Sequence, residues 1–166
     1  NLLECGALFS YIKKFIKYNS NDGFKFLFSI LKDNLNLYNI FSLCIDYNSE
    51  MAIFLLDMQI EANKNDQSLN EKVDYSTLDA AFVNYNEDVI VKMIQLYDPI
   101  KTIDDLTNFV KSLDKYLCSK MILSLFEKLC KILRRDKLLY IAIALEDVER
   151  YSASEYIKKN LPKKTD

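Results

Sequence analysis

Apolar residues recur three and four positions apart along almost the whole chain, and this spacing limits the fold more than any other feature. Such a period places the apolar side chains of a segment on one face of an α-helix. In the first segment the face consists of Leu8, Tyr11, Ile12, Phe15 and Ile16. No stretch alternates apolar and polar residues for long enough to indicate a β-strand. We therefore predict an all-α fold.

Polar turn residues divide this pattern into about ten short helices. The predicted helices cover residues 2–18, 23–32, 35–46, 50–62, 76–84, 87–96, 103–113, 116–134, 137–145 and 148–160. The chain contains only two Gly and two Pro, which excludes Gly-rich linkers and the tight turns of hairpin-rich β proteins. Helices this short are marginal alone in water. We expect them to pack against one another as antiparallel hairpins.

A similar tripeptide recurs at three of the predicted turns. Each copy separates two helical segments, and an apolar helix follows each: Tyr18-Asn19-Ser20, Tyr47-Asn48-Ser49 and Tyr85-Asn86-Glu87. Recurrence of a two-helix unit is typical of α-solenoids, in which each hairpin buries its apolar face against its neighbours. We therefore expect an array of solenoid-like helical hairpins.

One long polar stretch, residues 63–74, interrupts the helical pattern and is predicted to be a loop. We predict a single helical domain over residues 1–166, in which this loop joins two sub-halves, 1–62 and 75–166. The segment 116–134 is apolar on more than one face, so we expect it to be the central helix of the second half. Because the first residue is Asn1 rather than Met, we interpret the chain as a piece cut from a longer protein.

The residue types needed for most enzyme chemistry are missing. The chain has no His, which removes Ser-His-Asp and Cys-His catalysis and His-containing metal sites, and two Gly cannot form a phosphate loop. The acidic pairs Asp104-Asp105 and Glu146-Asp147 lie where predicted helices begin or turn, and we interpret both as helix caps. We predict a non-enzymatic protein with no catalytic residue, cofactor, metal ion or small-molecule substrate.

The cysteines and the hydropathy pattern indicate the compartment. The four cysteines lie among apolar residues without any C-x-x-C pair: Cys5, Cys44, Cys118 and Cys130. We expect small, buried thiols in a reducing environment. The sequence has neither a run of about 18 apolar residues nor the layout of a signal peptide. We predict a soluble intracellular protein that does not enter a membrane.

Basic residues are unevenly distributed, although the net charge of −2 does not favour a general nucleic-acid binder. Two clusters stand out: Arg134, Arg135 and Lys137, and then Lys158, Lys159, Lys163 and Lys164. We interpret them as a solvated helix end and tail, and the alternative is a weak contact with RNA or with an acidic partner.

Tyrosines near helix ends or on mixed faces are candidates for an exposed partner surface, because interfaces favour Tyr. The candidates are Tyr85, Tyr97, Tyr151 and Tyr156. Short helix pairs with two apolar faces also need neighbours. We therefore predict other protein subunits as partners, either further copies of this chain or paralogous helical domains.

Residues 75–150 resemble a known family. Residues 78–92 cover a short helix pair, residues 103–113 form the next helix, and Tyr116 precedes a long apolar helix over residues 121–133. In this order the chain resembles the C-terminal helical domain of the WD-repeat U-three proteins of the small-subunit processome. The resemblance implies a non-enzymatic scaffold that follows β-propellers, oligomerises and helps to assemble the nucleolar particle that processes pre-ribosomal RNA. It also implies a nuclear or nucleolar location.

A second resemblance is to ankyrin repeats. Residues 76–82, followed by Asn84 and residues 88–90, resemble the ankyrin helix pair, and so do residues 40–63. The turn glycines and the Thr-Pro-Leu-His tetrapeptide of that family are absent. This resemblance implies a divergent ankyrin-like binding module of a viral, parasite or fungal protein, which we keep as the alternative to the ribosome-biogenesis module.

Overall fold

A computed structural model describes residues 2–31, 35–61 and 73–164. These ranges contain helices and turns but no β-strand, so the predicted all-α fold is confirmed. The ten helices are α1 (Leu2–Lys17), α2 (Asn21–Leu31), α3 (Leu37–Tyr47), α4 (Ser49–Glu61), α5 (Tyr75–Val83), α6 (Glu87–Tyr97), α7 (Ile103–Tyr116), α8 (Ser119–Leu129), α9 (Arg135–Asp147) and α10 (Tyr151–Lys159).

The chain divides into two compact units, Asn1–Lys92 and Met93–Asp166. The division therefore lies within α6, whereas the sequence suggested two sub-halves joined by the loop 63–74. Residues 63–72 of that loop lie outside the described residues.

The first unit is a set of stacked helical hairpins. Helix α1 packs on α2 and α3 packs on α4, while α1 contacts α3 and α3 contacts α5. The first helices of successive pairs thus lie beside each other, as in the predicted solenoid-like array. Within the first hairpin, a Cβ atom on Gly23 would lie 3.1 Å from the ring of Phe15, so glycine permits the close approach of α2 to α1. The fully buried rings of this unit include Phe24, Phe41 and Phe82.

A buried asparagine joins three helices of the first unit. Asn48 is only 4% exposed, and its Oδ1 accepts a hydrogen bond from the Met51 amide at 3.2 Å, which caps α4. Its Nδ2 donates to Asn21 Oδ1 at 2.8 Å and to the Ile16 carbonyl at 3.3 Å. One side chain therefore satisfies polar groups on α1, α2 and α4.

The recurring tripeptide has a physical basis in helix capping at two of its three positions. Asn86 repeats the role of Asn48, because its Oδ1 accepts from the amides of Asp88 and Val89 at the start of α6. At the first position Asn19 instead has a φ of 55°, the left-handed conformation that Asn tolerates in tight turns. The tripeptide thus marks the turn in all three places and the cap in two.

The second unit is a cluster of the last helices. Helix α9 packs on α7 and α10, and α10 also packs on α8. The rings of Phe109 on α7 and Phe126 on α8 meet edge to face, with centroids 6.4 Å apart. The core of this unit consists of buried aliphatic and aromatic side chains from all four helices.

The predicted long helix 116–134 is wrong, because the helix in this region, α8, covers only Ser119–Leu129. The backbone of Leu117 and Cys118 is extended, and residues 130–133 form a turn. Leu117 and Leu133 are nevertheless buried. Buried turns add apolar residues to both ends of the helix, so the apolar run is longer than the helix.

Arg150 holds the end of α7 against the turn that precedes α10. Its Nε donates to Asp114 Oδ1 at 3.0 Å, and its Nη1 donates to Ser119 Oγ at 3.1 Å. Its Nη2 donates to the carbonyls of Asp114 and Leu117. The guanidinium thereby satisfies carbonyls that the end of a helix leaves without intrahelical partners. No sequence pattern indicated this role.

Candidate functional site

Four of the predicted basic residues line one groove in the second unit. Arg134, Arg135, Lys163 and Lys164 surround a cavity of about 630 Å³. The remaining lining residues are Lys131, Leu133, Asp136, Leu139 and Pro162. The structure therefore brings together residues from the two basic clusters that the sequence places about 30 positions apart, and it adds Lys131, which sequence reasoning missed although it lies only three positions before Arg134.

Two segments of backbone build this groove. One is the turn between α8 and α9, closed by a hydrogen bond from the Leu133 amide to the Leu129 carbonyl at 2.8 Å. The other is the segment after α10, which Pro162 keeps out of the helix. Arg135 Nη1 donates to the Pro162 carbonyl at 2.7 Å. This hydrogen bond fixes the segment beside the first turn of α9.

The groove carries more positive charge than its own carboxylate neutralises. Five lining side chains are cationic and one, Asp136, is acidic. Arg134 donates two hydrogen bonds to Asp136, at 2.8 and 3.2 Å, and these bonds lower the pKa of the Asp136 carboxyl and raise the pKa of Arg134. Within residues 2–31, 35–61 and 73–164, no carboxylate forms an ion pair with Lys131, Lys163 or Lys164.

The other three predicted basic residues serve contacts within the second unit. Lys137 donates to Asp98 at 2.9 Å and to the Ile100 carbonyl at 2.6 Å. Lys158 pairs with Glu146 on α9, and Lys159 pairs with Glu155 one turn earlier on the same helix at 2.9 Å. The predicted basic patch is therefore divided into a groove and three lysines with intramolecular partners.

The acidic pair at α7 forms the predicted helix cap. The Thr102 hydroxyl accepts from the Asp105 amide at 3.0 Å, and Asp105 Oδ2 accepts from the Thr102 amide at 3.0 Å. This reciprocal arrangement is a capping box. The prediction is confirmed for Asp105.

The second acidic pair is not a cap, so that prediction is wrong. Glu146 lies in the last turn of α9, where the helix dipole disfavours a carboxylate. It accepts hydrogen bonds from Lys158 and, at 3.0 Å, from Ser154. The bond from Lys158 is the main reason why the pKa of Glu146 is lowered. Glu146 thus joins α9 to α10.

The four candidate tyrosines differ in exposure. Tyr151, at the start of α10, is 63% exposed, whereas Tyr97 is 7% exposed and offers little ring area to a partner. Tyr85 is half-buried and stacks on Phe82 with ring centroids 6.4 Å apart. Tyr156 is half-buried, and desolvation raises its pKa. Contact of these tyrosines with a partner remains a prediction.

The three cysteines whose side chains the structure describes are free thiols in two environments. Cys44 and Cys130 are buried as expected, but Cys118, in the extended backbone before α8, is exposed. The side chain of Cys5 lies outside the described residues. Burial raises the pKa of Cys44 to about 12 and also raises that of Cys130. In the described part of the chain no three Cys, Asp or Glu side chains are grouped so that they could hold a metal ion.

Comparison with known proteins found no matching family model, no matching curated protein and no matching solved structure. Over the residues that the structure describes, no helix has the length and apolar character required to cross a membrane.

Proposed function

We propose that this chain is a non-enzymatic module for protein assembly, in which helical hairpins form a scaffold and the basic groove of the second unit receives another protein subunit. The observation that carries the proposal is the positive charge of the groove at Lys131, Lys163 and Lys164, with which no carboxylate in the described ranges 2–31, 35–61 and 73–164 forms an ion pair. A charged side chain that forms an ion pair within its own protein stabilises that protein. A charged side chain without such a pair, at a concave site, attracts a partner of opposite charge.

The groups at the groove suit binding better than catalysis. The Asp136 carboxylate is held by Arg134 and its pKa is lowered, so it is a weak general base. Outside the groove, in the first unit, the buried thiol of Cys44 has a pKa of about 12, and a thiol in that state is a poor nucleophile. These features support a binding role.

The more specific proposal is that the module is the C-terminal oligomerisation domain of a WD-repeat ribosome-biogenesis factor in the nucleolus. Its support is the order of helices over residues 75–150, which runs from the short pair α5 and α6 through α7 to Tyr116 and α8. In this proposal the partners are processome proteins or paralogous helical domains, and any RNA association is weak or indirect.

A divergent ankyrin-like binding module is the second candidate. The packing of α1, α3 and α5 in the first unit favours it, because helical repeats stack equivalent helices in this way. The two candidates differ in the partners that they predict, and so a single experiment separates them.

The test is affinity purification of the tagged protein from its native source, followed by mass spectrometry and RNA sequencing. Wild-type protein is compared with Lys131→Glu/Lys163→Glu and with the control Lys111→Glu/Lys120→Glu, which makes the same charge change at two exposed lysines outside the groove. We expect wild type and control to recover processome proteins and U-three RNA, and the groove variant to lose them.

Two other results would contradict parts of the proposal. Recovery of the same proteins by the groove variant at the wild-type level would place the binding surface elsewhere. Consistent absence of processome proteins would reject the ribosome-biogenesis assignment. Light scattering after size-exclusion chromatography tests oligomerisation, and a clean monomer at high concentration would contradict that part.

A further inference from the structure

We infer that the groove binds an acidic segment of a partner protein that carries a bulky apolar side chain among its carboxylates. This inference deepens the proposed function and rests on it. It follows from three properties of the lining residues: the distribution of their charges, their apolar surface and their lack of aromatic rings.

The lysines for which the described part of the chain shows no ion pair come from two separate segments. Lys131 belongs to the turn after α8, whereas Lys163 and Lys164 belong to the segment after α10. The Arg135 bond to the Pro162 carbonyl holds the second segment in place, so its lysines are positioned before a ligand arrives. A peptide with carboxylates at more than one position can pair with both groups, and such preorganisation reduces the entropy that binding costs.

Apolar side chains lie among these cations. Leu139 and Pro162 are half-buried and Leu133 is 6% exposed, so the lining retains apolar area that water contacts when the groove is empty. A small inorganic anion would pair with the lysines but would leave this apolar area exposed to water. A peptide with Leu, Ile or Phe between its carboxylates would cover it, which is favourable because burial of apolar surface drives association.

The same residues favour a protein segment over single-stranded nucleic acid. Sites for single strands combine a basic track with aromatic side chains on which bases stack, and none of the lining residues is aromatic. A cavity of about 630 Å³ has the size of sites that enclose a few side chains.

The test is fluorescence anisotropy with the whole chain and a labelled peptide whose Asp and Glu residues flank one Leu. Three probes are compared with it: the peptide with Leu replaced by Ser, the peptide with Asn and Gln in place of its acids, and a single-stranded RNA. We expect affinity to fall about fivefold for the Ser peptide and about tenfold or more for the amide peptide. We expect RNA to bind more weakly than the acidic peptide.

Two charge-reversal variants locate the site. Lys131→Glu/Lys163→Glu and Lys163→Glu/Lys164→Glu each reverse two charges at exposed positions, so circular dichroism spectra and melting temperatures should match wild type. Each variant should weaken the acidic peptide about tenfold or more, because a reversal replaces attraction with repulsion. The control Lys111→Glu/Lys120→Glu should stay within about twofold of wild type.

Several outcomes would overturn the inference. Tighter binding of RNA than of peptide, lost in both groove variants, would make the groove a nucleic-acid site. Equal binding of the Leu and Ser peptides would show that the apolar side chain of the peptide makes no contact in the groove. If the wild-type protein self-assembles and the groove variants do not, the occupant is a second copy of this chain. If no peptide binds but the groove variant still loses the partners recovered from the native source, the inference is wrong and the proposed function stands. If the groove variant also keeps those partners, both are wrong.

Discussion

The two units hold their turns with different chemistry. In the first unit a neutral amide, Asn48, joins α1, α2 and α4. In the second unit charged side chains do the equivalent work, with Arg150 at the end of α7 and Lys137 on the Ile100 carbonyl. Because the second unit uses many of its cations for structure, a basic residue there indicates a binding site only when it lacks an ion pair within the protein. Lys163 has none with a carboxylate of residues 2–31, 35–61 or 73–164.

The largest effect that tests this comparison is expected at Asn48. Replacement by Ala removes the α4 cap and the two hydrogen bonds that Nδ2 donates to the Ile16 carbonyl and to Asn21 Oδ1, so we expect the free energy of unfolding to fall by about 2–3 kcal/mol. The matched control is Asn39→Ala on exposed α3 surface, with an expected change within about 0.5 kcal/mol. Urea unfolding measures the free energy of unfolding of both variants. If Asn48→Ala lowers it no more than Asn39→Ala does, Asn48 does not have the structural role assigned to it here.

A smaller effect is expected at Arg150 in the second unit. Arg150→Met keeps much of the aliphatic stem but removes the bonds to Asp114, Ser119 and the α7 carbonyls. We expect a loss of about 1.5–2 kcal/mol, because hydrogen bonds from a partly buried charge exceed the value of surface pairs.

The control for Arg150 is Lys159→Met, which breaks a surface pair between residues one turn apart on α10. Such pairs contribute about 0.3–0.5 kcal/mol. If Arg150→Met costs no more than Lys159→Met in the same urea titration, the charged turn of the second unit contributes no more than an ordinary surface pair.

The smallest effect is a pH dependence at Glu146. Its pKa in the folded protein lies below the ordinary value of 4.5, chiefly because of the hydrogen bond from Lys158. A lowered pKa stabilises the fold above the unfolded pKa, and this contribution disappears as the pH falls through the folded pKa. We therefore expect Glu146→Gln to flatten the decline of the melting temperature between about pH 5 and pH 3.

The control for the pH experiment is Glu127→Gln, which removes another exposed carboxylate of the second unit. Its melting temperatures should follow the wild-type profile through the acidic range. A Glu146→Gln profile that is parallel to wild type would show that the pair with Lys158 does not contribute to stability.

Local pattern predicted the helices better than it predicted their ends. The start of α7 at Ile103 follows from Thr102 and Asp105, which form a cap within four residues. At the other end of this helix, two carbonyls accept hydrogen bonds from Arg150, which is 34 positions from Tyr116 in the sequence. The periodicity of a single segment contains no information about contacts with distant residues. For this reason the predicted helix 116–134 combined α8 with the buried turns on either side of it.

The basic groove was predictable only in part, because it also depends on contacts between distant segments of the chain. Charge alone identified Arg134 and Lys163, but only the packing of α10 brings their segments together. The pair Lys159–Glu155 has the spacing of neighbours on a helix and could have been recognised from the sequence. The partners of Lys137 and Lys158 lie on other elements, and no spacing rule identifies them.

The most direct measurement of the central claim is an NMR titration of the ¹⁵N-labelled chain with the acidic, Leu-containing peptide. If the groove is the binding site, the chemical-shift changes will be confined to the turn after α8, the first turns of α9 and the segment 161–164, and they will disappear in Lys131→Glu/Lys163→Glu. Changes centred on the first unit, or unaltered by that variant, would contradict the claim.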